Sequence, residues 1–328
     1  MGRIKEKSRE MKTKRMSIAI LLIFFLITNC HNSFDFPLVG FSQGLAPVTL
    51  DGEKWGFIDK TGSFAINPQF VFAFPFSEGL APVTIDGDKW GFIDKTGSFA
   101  INPQFVFAFP FSEGLAPVTI DGDKWGFIDK TGSFAINPQF EGALFFSEGL
   151  APVQKEWLGL WGYIDKTGKF AINPQFREAS VFSEGLAPAT LDGEKWGYID
   201  KTGRFVINPQ FEEALFFSEG LAPATLDGEK WGYIDKTGRF VINPQFEEAL
   251  FFSEGLAPVT LDGDKWGFID KTGKFVINPQ FEAVFLFSNP DATLPALLWR
   301  LPSRNLFKLR YRLIRERMVP EGGQNLER

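Results

Sequence analysis

Few side chains in this chain could do chemistry, and their placement is informative. Cysteine and histidine occur once each, side by side, as Cys30 and His31. One thiol and one imidazole supply neither a disulfide framework nor a Cys/His metal set. Aspartate, by contrast, recurs: Asp59, Asp94, Asp129, Asp165, Asp200, Asp235 and Asp270 each stand before Lys-Thr-Gly. A carboxylate can serve as general acid or base, but ahead of Thr-Gly it is ordinary turn chemistry. Catalysis needs a nucleophile, an acid/base or a metal placed asymmetrically around one substrate. A carboxylate repeated seven times does not provide that, and neither a Gly-x-Ser-x-Gly nor a phosphate-loop pattern occurs. Asp86-Gly87-Asp88 and its copies at Asp121 and Asp262 have the look of a calcium loop. The fifth position is Trp rather than an oxygen ligand, and other units carry Glu for the second Asp, so the segment reads as a turn. The expectation is a protein with no catalytic residues, no metal and no cofactor.

Cys30 has a different chemistry open to it. Arg3, Lys5, Lys7, Arg9, Lys12, Lys14 and Arg15 make a basic start, and residues 17–28 form a run dominated by Ile, Leu and Phe. As a helix that run reaches about 18 Å, short of the roughly 30 Å hydrocarbon core. It reads as the apolar part of a signal peptide over residues 1–29. A cysteine directly after it resembles a bacterial lipoprotein signal, in which Cys30 becomes the lipidated first residue, followed by a linker over residues 30–40. Asn29 departs from that pattern, which places Gly, Ala or Ser there. Ordinary cleavage with secretion and an uncleaved anchor are the alternatives. The implied location is a bacterial membrane lipoprotein, periplasmic or at the cell surface.

The rest of the chain is organised by repetition. Trp-Gly recurs at Trp55, Trp90, Trp125, Trp161, Trp196, Trp231 and Trp266, 35 residues apart except for 36 between Trp125 and Trp161. A fixed period of this length signals a stacked array rather than one irregular core. The motif F-S-E-G-L-A-P-V…D-G-(D/E)-K-W-G-(F/Y)-I-D-K-T-G…(A/V)-I-N-P-Q-F resembles the bacterial WG (KWG) β-repeat family over residues 41–287. The resemblance implies a β-repeat fold and little about activity, since members are mostly known as repeat proteins of unassigned role.

Within one unit the residues predict a β-meander. Leu186 to Leu191 reads as a first strand with Pro188 near its start, and Asp192-Gly193 as a tight turn. Trp196 to Asp200 is the second strand, and Lys201-Thr202-Gly203 a type I turn with a G1 bulge. The third strand, Phe205 to Ile207, stops at Asn208-Pro209. The segment after Asn-Pro alternates with period two and suits a short fourth strand. The fold class is therefore all-β: seven units of about 35 residues with three or four strands each. A propeller-like ring of blades, which protects strand edges, is favoured slightly over an open β-solenoid. Neither end carries the polar cap that an open stack needs, while 35 residues is lean for a four-stranded blade.

Departures between copies point to contact sites. Glu212 and Glu213, and again Glu247 and Glu248, stand where earlier units have Val71, Phe72, Val106 and Phe107. Charged residues are seldom buried unpaired, so those positions are expected to face solvent and the four apolar residues to form an exposed patch. The fourth unit replaces its Asp-Gly turn with a longer segment carrying Trp157 and Leu158. Trp157 at a hairpin tip suits a protein partner or a sugar ring, or tucks back onto its own unit. The seven motif tryptophans read as the core of each unit, with a glycan-lining role as the alternative. After Phe287 a basic, Leu/Arg-rich tail over residues 288–328 places Leu306, Leu309, Leu313 and Ile314 on one helical face. It could cap the array, lie on an anionic membrane, or be a frame-shifted remnant.

Charge excludes one partner class. Of 34 basic and 40 acidic residues, the two ends (residues 1–15 and 300–328) hold 15 and 5, leaving 19 against 35 in the body, a net of −16. Nucleic acid demands a basic footprint. The expected partners are a protein or a glycan at the envelope and a membrane held through lipid on Cys30, with the chain itself a monomer.

Overall fold

A computed structural model describes residues 41–50, 52–156 and 159–281. These residues form seven antiparallel sheets, six of four strands and the first of three, with no helix among them. The second unit shows the pattern. A short strand Phe72–Ala73 pairs with Ala81–Thr84, which pairs with Trp90–Ile93, which pairs with the long strand Phe99–Phe105. The first strand ends at Thr, one residue earlier than its aliphatic run suggests. The third strand does not stop at Asn-Pro but continues through it to Phe105.

The register explains both the continuation and the Trp-Gly signature. Trp90 pairs with Phe105 and Phe92 with Ile101, so the intervening Asn102, Pro103 and Gln104 bulge outward over Gly91. A Cβ on Gly91 would sit 2.6 Å from the Ile101 carbonyl oxygen and 2.7 Å from the Pro103 nitrogen. Only glycine lets the bulge lie that close. Pro103 has no N–H to leave unpaired, and on the outermost strand it also blunts the sheet edge. The Asp-Lys-Thr-Gly turn forms as its residues predict: Gly97 N–H donates to the Asp94 carbonyl at 3.0 Å, with Gly97 at φ +85°.

Successive sheets pack face to face, and the six joints use equivalent positions of the repeat. Leu45, Phe57, Ile66 and Phe70 of unit 1 bury against Ala73, Phe76, Ala81, Val83 and Ile93 of unit 2, and five further clusters repeat this arrangement. Ile66 lies on Gly97 of the next unit, with its Cγ2 3.0 Å from where a Cβ would stand. The Phe70 ring meets Phe99 edge-on at 6.5 Å. Ser77 Oγ donates to the Phe111 carbonyl at 2.6 Å.

The Ser-Glu-Gly turn forms a polar clasp at each joint. Glu78 is held at φ +52°, a conformation that costs a non-glycine residue on the order of 1 kcal/mol. Its carboxylate accepts from Gly114 N–H at 3.0 Å and pairs with Lys130 Nζ at 3.2 Å, both in the following unit. Glu113, Glu148, Glu184 and Glu219 repeat the pair with Lys166, Lys201, Lys236 and Lys271. At the first joint Gln43 takes the acid's place, accepting from Gly79 N–H while its carbonyl accepts from Lys95.

The sheets are not closed on themselves. Gly62 of unit 1, the counterpart of Gly97, has nothing within 4 Å of its Cβ position. At the far end Phe281 is 40% exposed, whereas its equivalent Phe70 is 1% exposed. Among the described residues the seventh joint that would complete a ring is not made.

Candidate functional site

The surface that repeats most regularly is the hairpin tip before each Trp strand. Thr84 is buried, and its hydroxyl accepts from Gly87 N–H at 2.9 Å. Asp86 Oδ1 accepts from Asp88 N–H at 2.9 Å and Lys89 N–H at 3.2 Å. Those two N–H groups, first that of Asp88, hold the Asp86 carboxyl below its usual range. With both neighbours bonded into the turn, Ile85 between them is left exposed to solvent. Leu50, Ile85, Ile120, Leu191, Leu226 and Leu261 all do so, with exposures between 44% and 80%.

These tips form a row. Lys195 Nζ donates to the carbonyl of Leu226 at 3.3 Å and Lys230 Nζ to that of Leu261 at 3.1 Å, each reaching from one unit to the next tip. Unit 4 breaks the row: Gln154 and Lys155 replace Thr and the aliphatic residue, and Gln154 Nε2 donates to the Gly159 carbonyl at 2.6 Å. A row of aliphatic side chains rimmed by lysines and aspartates can bind an apolar partner surface, each side chain contributing at most about 1.5–3 kcal/mol if fully covered. Sequence reasoning missed it because Leu191 was absorbed into a strand. The available signal was its place between Thr and Asp, two residues whose side chains bond back to the turn.

The structure corrects the expected exposed patch. Val106 and Phe107 are buried, Phe107 at 6%, and Val71 and Phe72 are half-buried. Phe72 sits between tryptophans of successive units, 5.4 Å from Trp55 and 5.8 Å from Trp90. Phe107 does the same between Trp90 at 5.0 Å and Trp125 at 6.1 Å. The glutamates of later units therefore say nothing about exposure here: the rings fold inward onto neighbours that glutamate would not seek. The motif tryptophans lie on the rim of each cluster, Trp90 buried and the other six half-buried. Cys30, Trp157, Leu158 and the tail over residues 288–328 lie outside the described residues.

The repeated aspartates are occupied by their own turns. Asp94 Oδ1 accepts from the Thr96 hydroxyl at 2.6 Å, Thr96 N–H at 2.8 Å and Ser98 N–H at 3.2 Å. The Thr96 hydroxyl is the main cause of its lowered pKa. Among the described residues no three His, Cys, Asp or Glu side chains are grouped to hold a metal. No helix among them is long and apolar enough to cross a membrane.

Comparison with known proteins places this geometry in a family. The family model of the WG containing repeat matches seven times, at residues 55–88, 90–123, 125–156, 161–194, 196–229, 231–264 and 266–290. The chain belongs to that repeat family. Among solved structures it resembles the computationally designed Ika8 protein, at 10% identity and TM-score 0.53, over 74% of this chain and 85% of that one. It also resembles Hsv2 from Kluyvelomyces marxianus, at 9% identity and TM-score 0.50, over 76% and 98%. These likenesses show a propeller-like arrangement of sheets. No match is found among curated proteins.

Proposed function

We propose that this chain is a non-catalytic, lipid-anchored β-repeat protein that presents a multivalent protein-binding surface at the bacterial cell envelope. The observation that carries the reading is the set of outward aliphatic side chains, one on each of six hairpin tips, presented by successive packed sheets. Identical weak sites on such a frame gain avidity from simultaneous engagement when the partner has matching spacing. The anchor rests on Cys30 and its apolar leader, and the propeller-like repeat fold is compatible with a scaffold role.

The test is cross-linking of the full chain in intact bacteria, followed by the same experiment with Ile85→Asp, Ile120→Asp, Leu191→Asp and Leu226→Asp combined. The parent should capture a reproducible partner and the variant should lose it at unchanged folding. Because the tips act together, single changes should weaken capture by about 2–10-fold and the combination far more. Capture that persists in the combined variant would refute the tip row, and saturable binding to a sugar array would favour a carbohydrate-binding protein. Cys30→Ala should move the chain to the soluble fraction.

A further inference from the structure

We propose that copies of this chain dock head to tail, the open face of the seventh sheet seating on the open face of the first. Six internal joints define what such a contact requires, and the two ends present its two halves. On the leading side Gly62, two residues before Phe64, is uncovered, whereas its counterpart Gly97 carries Ile66. On the trailing side Ile277 is half-buried and Phe281 exposed. Inside the array the equivalents of these four pair as Ile66 on Gly97 and Phe70 on Phe99. Seating one end on the other would place Ile277 on Gly62 and Phe281 on Phe64.

The polar clasp points to the same occupant. Glu254 keeps the left-handed backbone of its counterparts, φ +52°, yet among the described residues neither Glu254 nor Lys60 makes an ion pair, although their equivalents do so at five joints. Gly44, whose equivalents donate to that acid, belongs to the same leading face as Lys60. An acid at one end and a lysine with a free amide at the other are complementary only between two different ends. The contact is therefore heterologous, and it propagates into short chains or closes into a ring of copies. On this proposal the chain associates, where its sequence led to the expectation of a monomer.

The test uses two differently tagged full-length chains, both Cys30→Ser, in mild detergent, read by co-precipitation and by mass against concentration. The parent should co-precipitate and its mass should rise in steps of one chain. Glu254→Lys or Lys60→Glu alone should weaken association about tenfold by setting like charges together. Mixing the two variants should restore it to within about twofold of the parent, since each then supplies the end the other lacks. A mass of one chain at every concentration would overturn the proposal, as would association indifferent to both changes. Recovery only when one chain carries both changes would mark closure within a single molecule and would equally overturn it.

Discussion

The first three units and units 4 to 6 build the same joint by different chemistry. At the buried centre of the Trp strand the early units carry Phe57, Phe92 and Phe127, and the later ones Tyr163, Tyr198 and Tyr233. Each tyrosine hydroxyl donates across the joint to a carbonyl of the next unit: Ser180 at 2.7 Å, Leu215 at 2.7 Å and Leu250 at 2.6 Å. Burial pushes these hydroxyls well above the usual tyrosine range, so they stay protonated donors. In the early units the space between successive tryptophans is filled by Phe72 and Phe107, where the later units have Glu213 and Glu248 beside the pairs Lys195–Glu212 and Lys230–Glu247, a pairing that begins at the third joint as Lys124–Glu141. One backbone joint is thus sealed by non-directional ring packing at one end and by oriented hydrogen bonds at the other. What the joint demands is filled volume and satisfied carbonyls, not a fixed set of side chains.

The difference can be broken most severely by exchanging the fillers. Phe107→Glu should lower stability by roughly 3 kcal/mol, because it buries a charge between rings and removes their contacts. Glu213→Phe should stay within about 1 kcal/mol of the parent, since a ring there has tryptophans to meet. Urea unfolding of both variants measures the asymmetry, and equal losses would mean the two halves do not differ as described.

A smaller effect separates the hydroxyls. Tyr198→Phe should cost about 1–2 kcal/mol by leaving the part-buried Leu215 carbonyl without its donor. Phe92→Tyr should be neutral or stabilising within about 1 kcal/mol, because the Phe109 carbonyl stands where the later units receive the bond. Thermal midpoints decide this pair.

Acid should act on both halves alike and most gently. The turn aspartates from Asp59 to Asp270 all have lowered pKa values, with the following threonine hydroxyl as first cause in each unit. Their contribution is complete above the ordinary value of 3.8 and is lost as pH falls through the lower folded value, because the unfolded chain takes up protons first. Unfolding midpoints should therefore fall below about pH 4. Asp94→Asn and Asp235→Asn should flatten that slope equally, and an effect confined to one half would count against a shared turn.

Much of this was legible from period and turn chemistry. The 35-residue spacing gave seven units, and Asp-Lys-Thr-Gly gave its turn, because both depend on contacts within a few residues. Phe72 and Phe107 were misjudged because their environment is made by tryptophans 17 or 18 residues away on either side, in their own unit and the one before. Asn102-Pro103 looked like a stop because the sequence does not announce that Gly91 leaves room for a bulge. The tip row needed Thr84 and Asp86 to be seen holding Ile85 outward.

The clasp built on Glu78 has a consequence for growth by duplication. Because the strained residue of one period is answered by the amide and lysine of the following period, inserting or excising a whole period recreates an identical seam. The number of modules can then drift without any seam being redesigned. Among the described residues the two end faces find no partner within one chain, a fixed cost that weighs less as the row lengthens.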